Sequence, residues 1–352
     1  MRTIVSTAAL LALLAGCGDG EPFFTEEPEP GTESPTDAEG DGETEGTNDE
    51  GSLAGDLPPG TNDPSSTASI TRYEATDEVG GGYVQDAYYV AADDTFYVDN
   101  LAFDGANVYG RGTNVSSMGG YAVYEGVETV EDSLTGALID QFTYRAIYGA
   151  SENSVLVEGE PQPATQFAIV RTGSYVDYGF GGFIYTRNGE VTLPTTGQAQ
   201  FTGDYAGVRI FDGITGLEYT RGDMVMAIDF EDFNAGNGVT GHVINRELFD
   251  INGNRVALTN DYNVDGGRIF LPDINLVVGP GTMSDDGELT NGVFTRGYNA
   301  TGAPVDYETG TYYAVLSGDG PDEVVGVMVM TSEDPRYEDV TVQETGGFIL
   351  YR

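Results

Sequence analysis

From Thr71 onward the chain alternates apolar and polar residues in short runs rich in Tyr, Phe, Val and Thr, punctuated by Gly, Asn and Asp. A period of two puts successive side chains on opposite faces of an extended strand, so this pattern predicts β-structure. Met224, Met226, Ile228 and Phe230 alternate with Val225, Ala227 and Asp229 and give one strand a continuous apolar face. Similar runs cover Gly82 to Val90, Thr95 to Ala102, Tyr121 to Glu125, Phe142 to Ile147, Gln166 to Arg171 and Phe183 to Thr186. Further along, Gly238 to Asn245, Gly267 to Leu271, Gly310 to Leu316, Val324 to Thr331 and Gly346 to Tyr351 read the same way. Asn252-Gly253, Asp265-Gly266, Asp286-Gly287 and Asn291-Gly292 are dipeptides that supply the positive φ of tight hairpins. No stretch holds the helical period long enough to predict a buried helix. Without crossover helices the fold class is all-β with antiparallel sheets.

A break at Pro194-Thr195-Thr196-Gly197 divides the folded part into a β-rich unit over 70–193 and a second unit over 194–352. Each holds about eight strands, enough for a sheet to close on itself and lose its edges. Closure of the second unit requires the last strand, Gly346 to Tyr351, to pair with the first, near Ala199 to Tyr205. Gly119-Gly120-Tyr121, Gly181-Gly182-Phe183 and Gly346-Gly347-Phe348 echo one another without setting a repeat period.

The N-terminal residues follow different rules. Arg2, the apolar run Ala8 to Leu14 and the quartet Leu14-Ala15-Gly16-Cys17 read as a lipoprotein signal peptide over 1–16, with a run too short to span a bilayer. Cys17, the only cysteine of the chain, is then the lipidation site, where two or three acyl chains give stable membrane anchoring. The alternative is an ordinary secretory signal with an incidental cysteine. Either reading places the rest of the chain outside the cytoplasm. With Gly18 after Cys17, an outer-membrane location at the cell surface is expected. Residues 17–69 are dominated by Glu, Asp, Pro, Gly, Thr and Ser, with no basic residue between Arg2 and Arg72. That composition predicts a disordered acidic linker, and a coil of about 50 residues spans roughly 40 Å.

The chain carries 58 Asp and Glu against 14 basic residues, all of them Arg, for a net charge of −44. Such a surface repels phosphate backbones, which excludes nucleic acid as a partner, and it argues against docking on anionic lipid head groups. It suits either basic partners and cations or simple solubility in salty surroundings.

Three motifs in the second unit resemble the barrel domain of the transferrin-binding protein B family. Gly197-x-Ala199-x-Phe201-x-Gly203-x-Tyr205-x-Gly207 is similar to its first barrel strand. Ile228-Asp229-Phe230, a loop, and Val239-Thr240-Gly241-His242-Val243 resemble its Asp-Phe strand end and the Thr-Gly start of the next strand. Gly310-x-Tyr312-Tyr313 followed by Asp322-Glu323-Val324-Val325-Gly326 resembles its late aromatic signature, with Val325-Gly326 where the family has Gly-Gly. The resemblance covers Gly197 to Arg352 and implies an eight-stranded barrel preceded by a handle-like domain, in one lobe rather than two, on a surface lipoprotein. It does not carry transferrin over as the ligand.

Catalytic chemistry finds little support. His242 is the only histidine, with no acid at a recognisable spacing, so a Ser-His-Asp arrangement hangs on one strand residue. Asp250-Ile251-Asn252-Gly253-Asn254 reads as a hairpin turn, since glycine sits too early for a calcium loop and no closing glutamate follows. The acidic turns Asp285-Asp286-Gly287-Glu288 and Asp319-Gly320-Pro321-Asp322-Glu323 suit at most weak Ca²⁺ contact, and the chain has no Trp for a sugar platform. No cofactor, metal site or enzymatic activity is expected. The leading reading is a binding module for an extracellular protein or small solute, joined to the membrane through lipid on Cys17. Its recognition surface would be built from Tyr121, Tyr124, Tyr175, Tyr178 and Tyr185, unless these are wall and core residues. A structural coat protein and, further off, an exported hydrolase are the other readings.

Overall fold

The computed structural model describes residues 53, 55–99, 101–175, 177–231, 238–256, 258, 271–298 and 303–352. Cys17, the signal segment, linker residues up to Ser52, Asp265-Gly266 and the run Gly267 to Phe270 lie outside the described residues. Among the described residues every regular element is a β-strand.

The first unit is an open antiparallel sheet. Its main strands are β1 (Ile70–Tyr73), β2 (Ala87–Val90), β3 (Thr95–Val98), β4 (Val108–Arg111), β5 (Tyr121–Glu125), β6 (Tyr144–Ala150), β7 (Thr165–Thr172) and β8 (Gly181–Arg187), in the order β1-β8-β7-β6-β5-β4-β3-β2. Two small ribbons branch from it, Thr129–Glu131 with Leu138–Asp140 and Ser154–Val157 with Glu160–Pro163. The second unit is a closed eight-stranded antiparallel barrel. Its strands are β9 (Gln198–Asp212), β10 (Leu217–Asp229), β11 (Val239–Asp250), β12 (Ile274–Leu276), β13 (Glu288–Tyr298), β14 (Pro304–Asp319), β15 (Glu323–Glu333) and β16 (Thr341–Tyr351). Each pairs with the next, and β16 returns to β9 in a register running from Thr202↔Tyr351 to Asp212↔Thr341, which is the closure that the alternation predicts. Asn291-Gly292 is not a turn but lies inside β13, where Gly292 leaves room for Val277 of the chain beside it.

Alternation along β9 sends Phe201 and Tyr205 into the barrel and Ala206, Val208 and Ile210 out of it. The interior is a packed core of Phe201, Met224, Met226, Tyr312, Met328 and Phe348, all buried. The outward set does not meet water. Val208, Ile210, Val325, Val327 and Ile349 join Val123, Ile147, Phe167, Ile169 and Phe183 of the sheet in one shared apolar layer. Polar pins cross the same junction. Arg72 of β1 grips Glu288 of β13 through two bonds of 2.7 and 2.9 Å, and Glu323 of β15 accepts from Ser151 (2.6 Å) and Asn153 (2.7 Å).

Two glycines of β16 allow this junction to close. A Cβ on Gly346 would fall on the Tyr205 ring inside the barrel, and one on Gly347 would fall on the Phe167 ring of the sheet. Gly347→Val is therefore expected to destabilise the chain by at least about 1–3 kcal/mol, the usual cost of overpacking, read as a lowered urea midpoint.

The end of the expected linker is folded. Pro59 accepts the Tyr73 N–H, and Gly60 bridges Arg72. Arg187, fully buried at the end of β8, donates to the carbonyls of Ser65 (2.5 Å), Ala68 (2.7 Å), Asp286 (2.9 Å) and Leu316 (3.3 Å). Desolvation lowers its pKa to about 10, against the pull of Glu288 and Asp286. Residues 55–69 are thus an arm tied to both units. The boundary predicted from composition sat later because Thr, Ser and Gly satisfy an arm through backbone bonds and leave no apolar pattern. Arg72, Arg145, Arg171, Arg187, Arg209 and Arg246 are all buried, so the outer surface is more acidic than the composition alone implies.

Candidate interaction surface

Loops at the strand ends of the first unit assemble a row of aromatic rings. Phe103 follows β3, Phe142 precedes β6, Tyr175 and Phe180 lie in the connection from β7 to β8, and Tyr83 precedes β2. Their centroids step from Phe103 to Phe142 (5.1 Å), Tyr175 (5.2 Å), Phe180 (5.0 Å) and Tyr83 (5.4 Å). The last three contacts are edge-to-face, at 90°, 87° and 80°, the arrangement that aromatic quadrupoles favour. On one side Phe142, Phe180 and Tyr83 pack against the outer core of the sheet with Tyr144 and Ile184. On the other side the row meets solvent, with Phe103 59% and Tyr175 39% exposed.

The apolar surface continues past the rings. Phe142 N–H donates to the Phe103 carbonyl (2.8 Å), and Gly105 N–H donates to Gln141 Oε1 (3.0 Å), which brings the loop after β3 against the base of the first ribbon. Val127 and Val130 lie where a Cβ on Gly105 would be. The ribbon itself bears Leu134 at 93% and Leu138 at 71% exposure, with Val127 and Ile139 also exposed. Adjacent exposed apolar side chains on a strongly charged chain make this surface a candidate for interaction. Asp77, Glu78, Glu128, Glu131, Asp140 and Asp177 are exposed in the same loops and on the same ribbon.

Of the five tyrosines proposed from the sequence, only Tyr175 belongs to this surface. Tyr124 and Tyr185 are buried. Tyr121 is a strut between the units, its hydroxyl donating to Asp204 O (2.8 Å) and accepting from Ile349 N–H (2.8 Å). Tyr178 exchanges a 2.6 Å hydroxyl bond with Thr341. The wall reading holds for the strand residues Tyr121, Tyr124 and Tyr185, while Tyr178, in the connection from β7 to β8, is tied to β16. Phe103, Phe142, Phe180 and Tyr83 were missed: Phe103 and Phe180 stand in loops outside the alternation, whereas Tyr83 and Phe142 fall in runs that read as strand and lie instead in the loops before β2 and β6. For Tyr83, Phe103 and Phe180 the one available signal was an aromatic beside Gly or Asp at a strand end.

The other candidates resolve locally. His242 is exposed on β11 between its register partners Val225 and Asn275, and no hydrogen bond or ion pair among the described residues joins it to a carboxylate. Asp250 closes a tight turn, its Oδ1 accepting from the N–H groups of Asn252 and Asn254, both at 2.9 Å. Glu288 and Glu323 of the two acidic turns are consumed by Arg72 and by Ser151 and Asn153. The described residues contain no cluster of three metal-ligating side chains, and Cys17 lies outside them.

No protein-family model matches the chain. No curated protein matches it either. Among solved structures it is similar to a double mutant of the vaccine antigen transferrin-binding protein B from Haemophilus parasuis Hp5, at 11% identity and a TM-score of 0.34, over 81% of this chain and 45% of that one. It is also similar to intact Ap-TbpB with its N and C lobes (12% identity, TM-score 0.29, 81% of this chain and 60% of that one). A third likeness is to isotype 1 transferrin-binding protein B of serogroup B Neisseria meningitidis, at 11% identity and a TM-score of 0.28, over 82% and 63% of the two chains. This chain spans less than two thirds of each of these structures. The open sheet followed by a closed eight-stranded barrel is read from the strand pairing of this chain itself.

Proposed function

We propose that this chain is a non-enzymatic binding module that captures an extracellular protein at the cell surface, held to the outer membrane by lipid on Cys17. The aromatic row from Phe103 to Tyr83, with the exposed ribbon beside it, carries this reading. Exposed aromatic rings give large contact area at low entropy cost, and an open apolar row suits a protein face better than a small solute. The quartet Leu14-Ala15-Gly16-Cys17 supports the anchor, and the acidic segment after it supports display away from the membrane.

The test compares wild type with a Phe103→Ser/Tyr175→Ser double variant, both immobilised and exposed to proteins of the culture medium. Both positions are exposed, so folding is expected to survive, and any specifically retained protein is expected to fall at least tenfold on the variant. Equal retention places recognition elsewhere on the chain. Cys17→Ser is expected to abolish incorporation of labelled fatty acid, and persistent labelling removes the anchor assignment.

A further inference from the structure

A cavity of about 550 Å³ lies at the end of the barrel where the β9–β10 loop meets the sheet, within the usual size range for small-molecule sites. Phe211, Ile214, Leu217, Ile251 and Tyr337 supply its apolar lining. Two carboxylates share the same lining, Glu218 of β10 and Asp250 of β11, which are direct register partners across the two strands. Like charges directly opposite weaken a strand pair, and here Arg336 and Arg209 offset the charge of Glu218 but not that of Asp250.

The two acids are not equally satisfied. Glu218 accepts two bonds from Arg336, at 2.6 and 2.9 Å, and the Arg336 guanidinium lies 5.9 Å from the Phe211 ring centroid and 5.5 Å from that of Tyr337. Asp250 forms no ion pair with any described residue. Its oxygens accept only the neutral N–H groups of Asn252 and Asn254. Burial raises its pKa, but those bonds outweigh burial and hold it below the usual carboxylate range, so it is anionic at neutral pH. The cavity therefore combines an apolar wall bearing two aromatic rings with one uncompensated negative charge, in a chain of net charge −44.

We propose that this cavity binds a small organic ammonium ion carrying an apolar or aromatic body. An anion of the same shape meets Asp250 and the field of the whole chain. A neutral molecule of the same shape gains nothing from the Asp250 charge. An inorganic cation gains nothing from the apolar wall. The cavity adjoins the aromatic row through Thr143 and Ser174, the chain neighbours of Phe142 and Tyr175, but the proposal does not depend on capture of a protein there.

The experiment titrates the full chain at physiological salt with phenethylammonium, followed by calorimetry and ligand-observed NMR. Its comparators are 3-phenylpropionate, 2-phenylethanol and ethylammonium. Phenethylammonium is expected to bind with one-to-one stoichiometry and at least tenfold more tightly than any of the three. Asp250→Asn keeps the oxygen that caps the turn and removes the charge, and it is expected to weaken phenethylammonium tenfold or more while leaving 2-phenylethanol unchanged. Tyr337→Ala, in an exposed loop, is expected to weaken it several-fold and serves if the first variant does not fold. Glu160→Gln, on the remote second ribbon, is expected to change nothing. Equal binding of 3-phenylpropionate, the same loss in Glu160→Gln as in Asp250→Asn, or no saturable binding would overturn the proposal.

Discussion

Arg246→Met is expected to cost the folded chain about 3–5 kcal/mol, the usual result of removing one partner from a buried ion pair. Arg246 is fully buried inside the barrel, donating to Glu308 (2.6 and 3.1 Å), Glu344 (2.8 Å) and the Pro272 carbonyl (2.7 Å). Glu344 also accepts from Tyr205 (2.7 Å) and Thr220 (2.9 Å), and Arg209 stands 3.7 Å away. Two arginines and two glutamates balance in this layer, and the variant leaves one negative charge in excess where water does not reach. The Arg246→Met/Glu308→Leu variant keeps Glu344 beside Arg209 and is expected to recover part of the loss. Burial raises the Glu344 pKa, but Arg246, Arg209 and the two hydroxyl donors outweigh it, so its folded value lies below the ordinary one. A depressed folded pKa means that the stabilisation is fully present above the unfolded glutamate range, near about 4.3, and is lost as pH falls through the folded value. The stability gap between wild type and Arg246→Met, measured by urea unfolding at several pH values, is therefore expected to narrow on acidification. A gap that stays constant across that range would show that the loss is one of packing rather than charge.

That interior layer marks where the alternation misleads. Phe201 and Tyr205 announce the inward face of β9, and the same phase then sends Arg209 inward while Val208 and Ile210 point out. Read alone, the far end of this strand invites the opposite phase. The cause is that the barrel wall is buried on both faces there, one by its own interior and one by the sheet, so apolar and polar no longer mean inside and outside. Strand positions and the closing pair β9–β16 were legible because period two and turn chemistry are local. The aromatic row was not, since it depends on loops as far apart as Tyr83 and Phe180, and neither was the Glu218–Asp250 opposition, which exists only once the β10–β11 register is set. Asn291-Gly292 shows the converse limit. A dipeptide with strong turn chemistry stays extended when glycine is needed for close approach instead.

Deleting residues 341–352 is expected to abolish the soluble monomer. The lost strand, β16, pairs along its whole length with β9 on one side and β15 on the other, so its removal converts two central strands into open edges. Unpaired edges of long apolar strands are templates for association. Three other supports go with it. Phe348 and Leu350 leave the barrel interior, Ile349 leaves the layer shared with the sheet, and Glu344 leaves Arg209 and Arg246 with less countercharge. Tyr121 loses the Ile349 N–H that its hydroxyl accepts, so the damage reaches the first unit as well. Removing Arg352 alone spares the ladder and forfeits only its bonds to Asp322 O and Gly320 O, and that variant is expected to stay monomeric with a melting temperature within a few degrees of wild type. Size-exclusion chromatography with light scattering and a thermal melt reads both variants. Adding a peptide of residues 341–352 during refolding of the truncated chain is expected to restore monomer, because the missing strand is bound on both edges and needs no covalent link to fill the gap. A truncated chain that stays monomeric and melts cooperatively at the wild-type temperature without the peptide would mean that the sheet, rather than closure, holds the barrel wall together.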